Sequence, residues 1–254
     1  MIYLKQIKLN DPMLVEGPVE ELKYPYRAAA VRHLESIVFR KPVTFLVGEN
    51  GIGKSTLLEA VMTKYEAHDE NEHGMLNDGR EGLKMYANVL PDNIRLIETA
   101  RPDEHFFFRA ESFFDFAREI DSRSFEDIRK YGRDYTAKLF GGRRLLEQSH
   151  GESFLNTFLH YGGRNMFYIL DEPEAALSPQ RQLALLVRIK ELVNNNCQLI
   201  ISTHSPILMA YPGAEIYLID DDGARLTSYE ETEHYQITKY FLTHTEQMLR
   251  ELLG

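Results

Sequence analysis

Only one cysteine, Cys197, occurs in the 254 residues. No internal disulfide can form, which suits a reducing compartment. No apolar run approaches the roughly 18 residues that a membrane-crossing helix needs, so direct membrane insertion is not expected. Positive charge is scarce: 29 Lys and Arg face 39 Asp and Glu, for a formal net charge of -10. With a pI of about 5.4, bulk electrostatic capture of nucleic acid is disfavoured, though a local basic patch stays compatible with the composition. The opening MIYLKQIKLND alternates polar and apolar residues and has no signal-peptide core. Internal repeats and low-complexity linkers are absent. The expectation is a cytoplasmic protein of one domain, or of one domain with a sizeable insertion.

What is present is a series of short apolar runs separated by helical patterns. Strands are predicted at Ile2 to Leu9, Val31 to Phe39, Val43 to Val47, Ile94 to Glu98, Phe106 to Arg109, Met166 to Leu170, Gln198 to Ser202 and Glu215 to Asp220. Helices are predicted from Lys54, over Ser112 to about Arg144 with breaks at Gly132 and Gly141, over Ser153 to Tyr161, over Pro179 to Asn194, and in two pieces after Thr232. Ser178 before Pro179 is a strong N-cap signal. Residues 66 to 92 are polar and irregular and read as an exposed excursion. Buried strands alternating with helices imply a mixed α/β fold around a mostly parallel sheet covered on both faces.

Three motifs carry chemistry, in chain order. The stretch GENGIGKST, comprising Gly48, Glu49, Asn50, Gly51, Ile52, Gly53, Lys54, Ser55 and Thr56, fits the phosphate-loop pattern. It follows the buried run VTFLV and opens a helix, as the pattern requires. Its glycines let backbone N–H groups turn toward phosphate oxygens, and the helix N-terminus adds partial positive charge. Lys54 is expected to reach the β- and γ-phosphates, and Ser55 to bind Mg2+ through its hydroxyl. MFYILDEPEAALSP then ends a buried strand in Asp171 and Glu172. Asp171 is the candidate metal ligand, and Glu172 the candidate base for the attacking water. QLIISTHSPIL places His204 at the tip of another core strand, where it would contact the γ-phosphate or the water.

The stretch EQSHGESFL, Glu147 to Leu155, lacks the second glycine of a nucleophile elbow and leads into a helical pattern. Nor does it offer enough ligands for a metal site. It reads instead as a second anion-binding turn at a helix N-terminus. A second such turn is superfluous within one subunit but useful to another copy. The order of phosphate loop, Ser-x-Gly-Glu turn, Asp-Glu strand and strand-His resembles the ATP-binding cassette (ABC) ATPases, nearly over the whole chain. Within that superfamily the chain resembles the small stand-alone bacterial ATPases of AAA or ABC type, and the SMC and DNA-repair ATPases offer a functional analogy.

That resemblance implies an ABC-type P-loop NTPase with a mixed-sheet core lobe, about 1–100 and 165–254, and a helical signature subdomain at about 110–164. It implies that Ser149 and the Gly151 backbone contact the γ-phosphate of ATP held by a second copy, with Glu152 supporting the turn. ATP and Mg2+ are the implied cofactors. A homodimer forms around ATP in this reading and drives or gates a separate protein partner, in DNA maintenance or phage defence. A transporter's nucleotide-binding subunit and a non-catalytic ATP-dependent switch are the alternatives. His150 departs from the usual glycine of the signature, and Ser178 from the aspartate that ends the loop after the carboxylate pair. No clear glutamine loop is found, and the resemblance implies Glu111 in FRAESF as its stand-in near the metal. HDENEH, His68 to His73, is expected to be a solvated face rather than a metal cluster. The arginine-bearing run that follows Arg109 is balanced by acids and reads the same way. Tyr24 and Tyr26 lie upstream at a distance compatible with stacking on adenine, which is the less favoured reading of them.

Overall fold

The computed structural model describes residues 1–67, 89–110, 113, 117–118, 121–122, 128–130, 144–147, 150–160 and 163–254. Its frame is a six-stranded sheet built from β2 (Val43–Val47), β4 (Glu104–Arg109), β5 (Met166–Asp171), β6 (Gln198–Ser202), β7 (Glu215–Asp220) and β8 (Gly223–Thr227), in the order β4-β5-β6-β2-β7-β8. The first five strands of that order run parallel, and β8 closes the edge antiparallel to β7. A strand buried on both faces has no polar side to alternate with. Accordingly β2, β5 and β6 are buried at every position.

Side-chain alternation sorts the core into two clusters. Leu46, Phe167, Ile169 and Ile200 face α1 (Lys54–Ala67), through Leu57, Leu58 and Val61. Phe45, Val47, Tyr168, Leu170 and Ile201 face the opposite way, toward α2 (His150–His160) and α3 (Pro179–Asn194). An aromatic group ties α2 to the sheet: Phe154 stacks on Phe108 at 3.9 Å between centroids, and Phe158 meets Tyr168 edge-on at 5.6 Å. These rings hold the first turn of α2, with Gly151 and Glu152, on a rigid support. The turn before α2 is fastened as well. Asp121 accepts the N–H groups of Leu145 and Leu146, each at 2.9 Å, and Ser153 donates its hydroxyl to the Leu145 carbonyl at 2.6 Å.

A separate two-stranded antiparallel sheet pairs β1 (Leu4–Leu9) with β3 (Ile94–Glu98). Gln198, at the start of β6 and fully buried, joins the two sheets. Its Oε1 accepts from Tyr3 N and Leu4 N at 2.7 and 2.9 Å, and its Nε2 donates to the Leu4 carbonyl at 2.8 Å. Gln198→Leu would leave those buried backbone groups unsatisfied, so urea unfolding should register a loss of about 2 to 4 kcal/mol. A loss below about 0.5 kcal/mol would mean that water can reach the junction.

The structure corrects one predicted strand. Residues 31–39 form no strand, and only Val38 makes an isolated bridge, to Gln6. Ala29–Arg32 is a helical turn and Leu34–Ser36 a 3-10 turn. Val31, Leu34 and Ile37 are each fully buried at a spacing of three, while Glu35 and Ser36 face solvent. That is helical rather than alternating periodicity, and a strand assignment mistakes it. β8 was absent from the expected elements, although Asp222-Gly223 is a hairpin signal. α2 begins three residues before Ser153, at His150. The helices α4 (Glu233–Thr243) and α5 (Thr245–Leu253) supply the two pieces expected after Thr232. Most of the excursion at 66–92 and of the helical stretch at 112–144, including HDENEH, lies outside the described residues.

Candidate active site

The parallel register aligns the functional strand ends. Arg109 of β4 pairs with Asp171 of β5, which pairs with Ser202 of β6, which pairs with Leu46 of β2. All lie at the carboxyl edge, where open α/β sheets bind ligands. The loop from Gly48 to Gly53 leaves β2 at that edge.

Two glycines in this loop are fixed by close approach. A Cβ on Gly48 would sit 2.3 Å from the Ile219 carbonyl oxygen. Gly53 has φ of 98°, and a Cβ there would lie 2.7 Å from the Ala28 side chain. Ala28 precedes the helical turn Ala29–Arg32, whose last residues fall in the segment expected to be a strand. That turn also buttresses the loop, because the N–H of Ala30 donates to the Ile52 carbonyl at 3.0 Å. Lys54 is 3% exposed, and its ammonium donates to the carbonyls of Gly48 and Glu49 at 2.6 and 2.9 Å. Burial pushes its pKa down, and the carboxylates of Glu172, Asp171 and Glu174 oppose that shift. Ser55 and Thr56 follow in the first turn of α1. Thr56 shares a hydrogen bond between hydroxyls with Tyr24, which is exposed. Tyr26, by contrast, is packed into the core under α1 and is unavailable to an adenine ring.

Asp171 is buried at the end of β5. Its Oδ1 accepts the Ser202 hydroxyl, and Arg109 Nε lies 3.5 Å from Oδ2. Glu172 leaves the strand in the left-handed region, with φ of 48° and ψ of 52°. A non-glycine residue takes that conformation at a cost, and it persists only where its surroundings hold it. Here the Glu172 N–H is held by the Ser202 carbonyl at 3.1 Å and the Ser202 hydroxyl oxygen at 3.2 Å. The kink leaves the Glu172 side chain 40% exposed, with Oε1 3.5 Å from His204 Nε2. His204 N–H donates to Glu174 Oε1 at 2.5 Å, and its Nδ1 lies 3.0 Å from His234 Nε2. Burial and then the charge of Lys54 lower the His204 pKa, and the Glu172 carboxylate opposes that shift.

The structure thus brings Lys54, Asp171, Glu172 and His204 to one edge of one sheet. Gly151 and Glu152 lie in the first turn of α2, and Glu152 is half-buried. Ser149 and Glu111 lie outside the described residues. Ser178 caps α3, its hydroxyl accepting the Arg181 N–H at 3.4 Å. The Ser55 hydroxyl and the Asp171 carboxylate are hard oxygen donors of the kind Mg2+ takes, so the residues present fit that ion.

Sequence reasoning missed Glu59, His234 and Ser202. Glu59 faces inward from α1, and its Oε2 lies 4.0 Å from Arg109 Nη1. Burial raises its pKa from 4.5 to about 7; Arg109 lowers it, and Asp171 raises it further. Because the folded value is the higher, its contribution to stability is full below about 4.5 and is lost as pH rises through about 7. Glu59→Gln, without nucleotide or metal, should therefore stabilise by about 2 kcal/mol at pH 8, raising Tm by about 5 °C, and leave Tm almost unchanged at pH 4. Equal effects at both pH values would contradict the raised pKa.

A central strand feeding a glycine loop and helix, with an acid on the next-but-one strand and a polar tip between them, defines a P-loop NTPase. Comparisons with known proteins place it more finely. Residues 155–209 match the family described as AAA ATPase domain, and residues 26–63 the family described as AAA domain. An uncharacterized ABC transporter ATP-binding protein of Haemophilus influenzae is 44% identical over 200 residues, which cover 75% of this chain and 74% of that one. The SkfA peptide export ATP-binding protein SkfE of Bacillus subtilis is 23% identical over 208 residues, 80% of this chain and 84% of that one. Among solved structures, cbiO1 from Clostridium perfringens, part of the ABC transporter complex cbiONQ, is 17% identical over 95% of this chain and 96% of that chain, with a TM-score of 0.46. The chain belongs to the ABC-type ATP-binding proteins of the P-loop NTPase superfamily.

Proposed function

We propose that this chain hydrolyses ATP with Mg2+, in a head-to-tail pair that closes around two nucleotides and drives a separate partner. The observation that carries this reading is the convergence of four groups on one sheet edge: a buried Lys54 ammonium, buried Asp171, kinked Glu172 and His204. Loop N–H groups and Lys54 would hold the phosphates. Ser55 and Asp171 would hold Mg2+, which when bound neutralises developing phosphate charge. Glu172 would take the proton of the attacking water, and His204 would donate to the γ-phosphate. Residues 110–164 would form the signature subdomain, and Ser149, Gly151 and Glu152 would meet the nucleotide of the other copy. Phosphate release by the purified chain, present with Mg2+ and ATP and abolished by chelation, is the expected result. No release above buffer would overturn the reading.

For the partner, the names of the two relatives, one of peptide export and one of an ABC transporter, favour the other subunits of a transporter. No helix among the described residues is long and apolar enough to cross a membrane, so such a subunit would be a separate protein. A partner in DNA maintenance or phage defence is the second reading, with the net charge of -10 against direct nucleic-acid contact. Co-purification of an integral membrane protein with the chain separates the two.

A further inference from the structure

His234 opens α4, outside every motif of the nucleotide site, yet its Nε2 lies 3.0 Å from His204 Nδ1. The two rings sit 5.2 Å apart between centroids, tilted by 50°. Thr232, fully buried, caps α4 by accepting the Tyr235 N–H at 3.3 Å, which fixes where His234 projects. Two neutral imidazoles can share such a contact in only one way at a time: one nitrogen donates and the other accepts. The direction is set at the far nitrogen of His204. His204 Nε2 is buried without a hydrogen-bond partner of its own and faces the Glu172 carboxylate at 3.5 Å. Carboxylate and phosphate oxygens accept, so a useful Nε2 must carry a proton. A neutral ring with Nε2–H has a bare Nδ1, which must then accept from His234 Nε2–H.

We propose that His234 is a positioning residue, whose Nε2–H donates to His204 Nδ1 and so holds His204 in the tautomer that presents Nε2–H to Glu172 and to the γ-phosphate. The nearby charges are Lys54, Glu172, Glu174 and Glu233. Burial lowers the pKa of both rings and Lys54 adds to the effect, against Glu172 at His204 and Glu233 at His234, so the net direction favours the neutral pair. The inference rests on the ATPase reading for its consequence, but the tautomer can be read without nucleotide.

The test begins with side-chain 15N spectra of the nucleotide-free protein, assigned through His204→Ala and His234→Phe. His204 should show the Nε2–H pattern in the wild type and a mixture in His234→Phe. A wild-type Nδ1–H pattern for His204 would overturn the proposal. In turnover, His234→Phe should lower kcat by about 10- to 100-fold with little change in KM, as losing the partner of a functional imidazole's other nitrogen commonly does. His234→Gln, whose amide N–H reaches the same point, should restore most of the rate. In a His204→Ala background, His234→Phe should add no further loss, since coupled residues are not additive. Wild-type-like turnover in His234→Phe, or a Gln variant as slow as Phe, would overturn it. If His234→Phe does not fold, the wild-type spectrum and the Gln variant decide. Should the wild type release no phosphate, the ATPase reading fails, and the tautomer alone decides the role of His234.

Discussion

Glu172→Gln is expected to slow phosphate release by about 10²-fold or more while leaving ATP bound. Glutamine keeps the size and hydrogen-bonding reach of the side chain but cannot accept the proton of the attacking water. The backbone kink should survive, because it is held from the main chain: the N–H of residue 172 is fixed by the carbonyl and hydroxyl of Ser202. Lys54 and the loop, which would hold the phosphates, are likewise untouched by the substitution. In the sandwich reading the uncleaved ATP holds two copies together, since charge-assisted hydrogen bonds contribute about 1.5 to 3 kcal/mol each. Size exclusion with Mg2+ and ATP should then show a dimer in Glu172→Gln, and a monomer without nucleotide. Unchanged turnover would remove Glu172 from the chemistry. A monomer at saturating ATP would remove the sandwich while leaving the phosphate cradle intact.

Lys54→Ala is expected to weaken ATP binding by about 10²-fold or more and abolish turnover. The ammonium donates to two loop carbonyls, at 2.6 and 2.9 Å, and those are the bonds it would exchange for phosphate oxygens. Two charge-assisted bonds at about 1.5 kcal/mol each already account for a hundredfold change. Stability should move much less than affinity. Removing the side chain relieves the desolvation of a buried cation, yet it strips a donor from the carbonyls of Gly48 and Glu49, and the two effects oppose each other. Calorimetric titration with ATP and a thermal melt separate them. An affinity within threefold of the wild type would mean that Lys54 serves the loop's own fold rather than the phosphate.

Much of the architecture was legible because burial on both faces leaves an unmistakable pattern. VTFLV, MFYIL and QLIIS are continuous apolar runs that end in polar residues, so both the strands and their functional tips could be read directly. Ser178 and Pro179 marked the start of α3 for an equally local reason. The segment at residues 31–39 misled because apolar residues at a spacing of three, within so short a stretch, suit a strand almost as well as a turn. The residues just before it belong to the same turn: Ala28 and Ala30 are held against the phosphate loop, a contact no local pattern encodes.

The sequence by itself determined the phosphate loop, the order of the motifs and the strands that carry them, since each depends on neighbours within a few residues. Only the tertiary structure decided which polar residues act together. Glu59 joins Arg109 and Asp171, and His234 joins His204, across 30 residues or more of chain. A lone histidine on a helix, or a glutamate one face of a helix inward, has the same local sequence whether it meets water or another side chain. Its chemistry is set by burial and by the donor or acceptor opposite, and those exist only after the sheet has brought distant segments together.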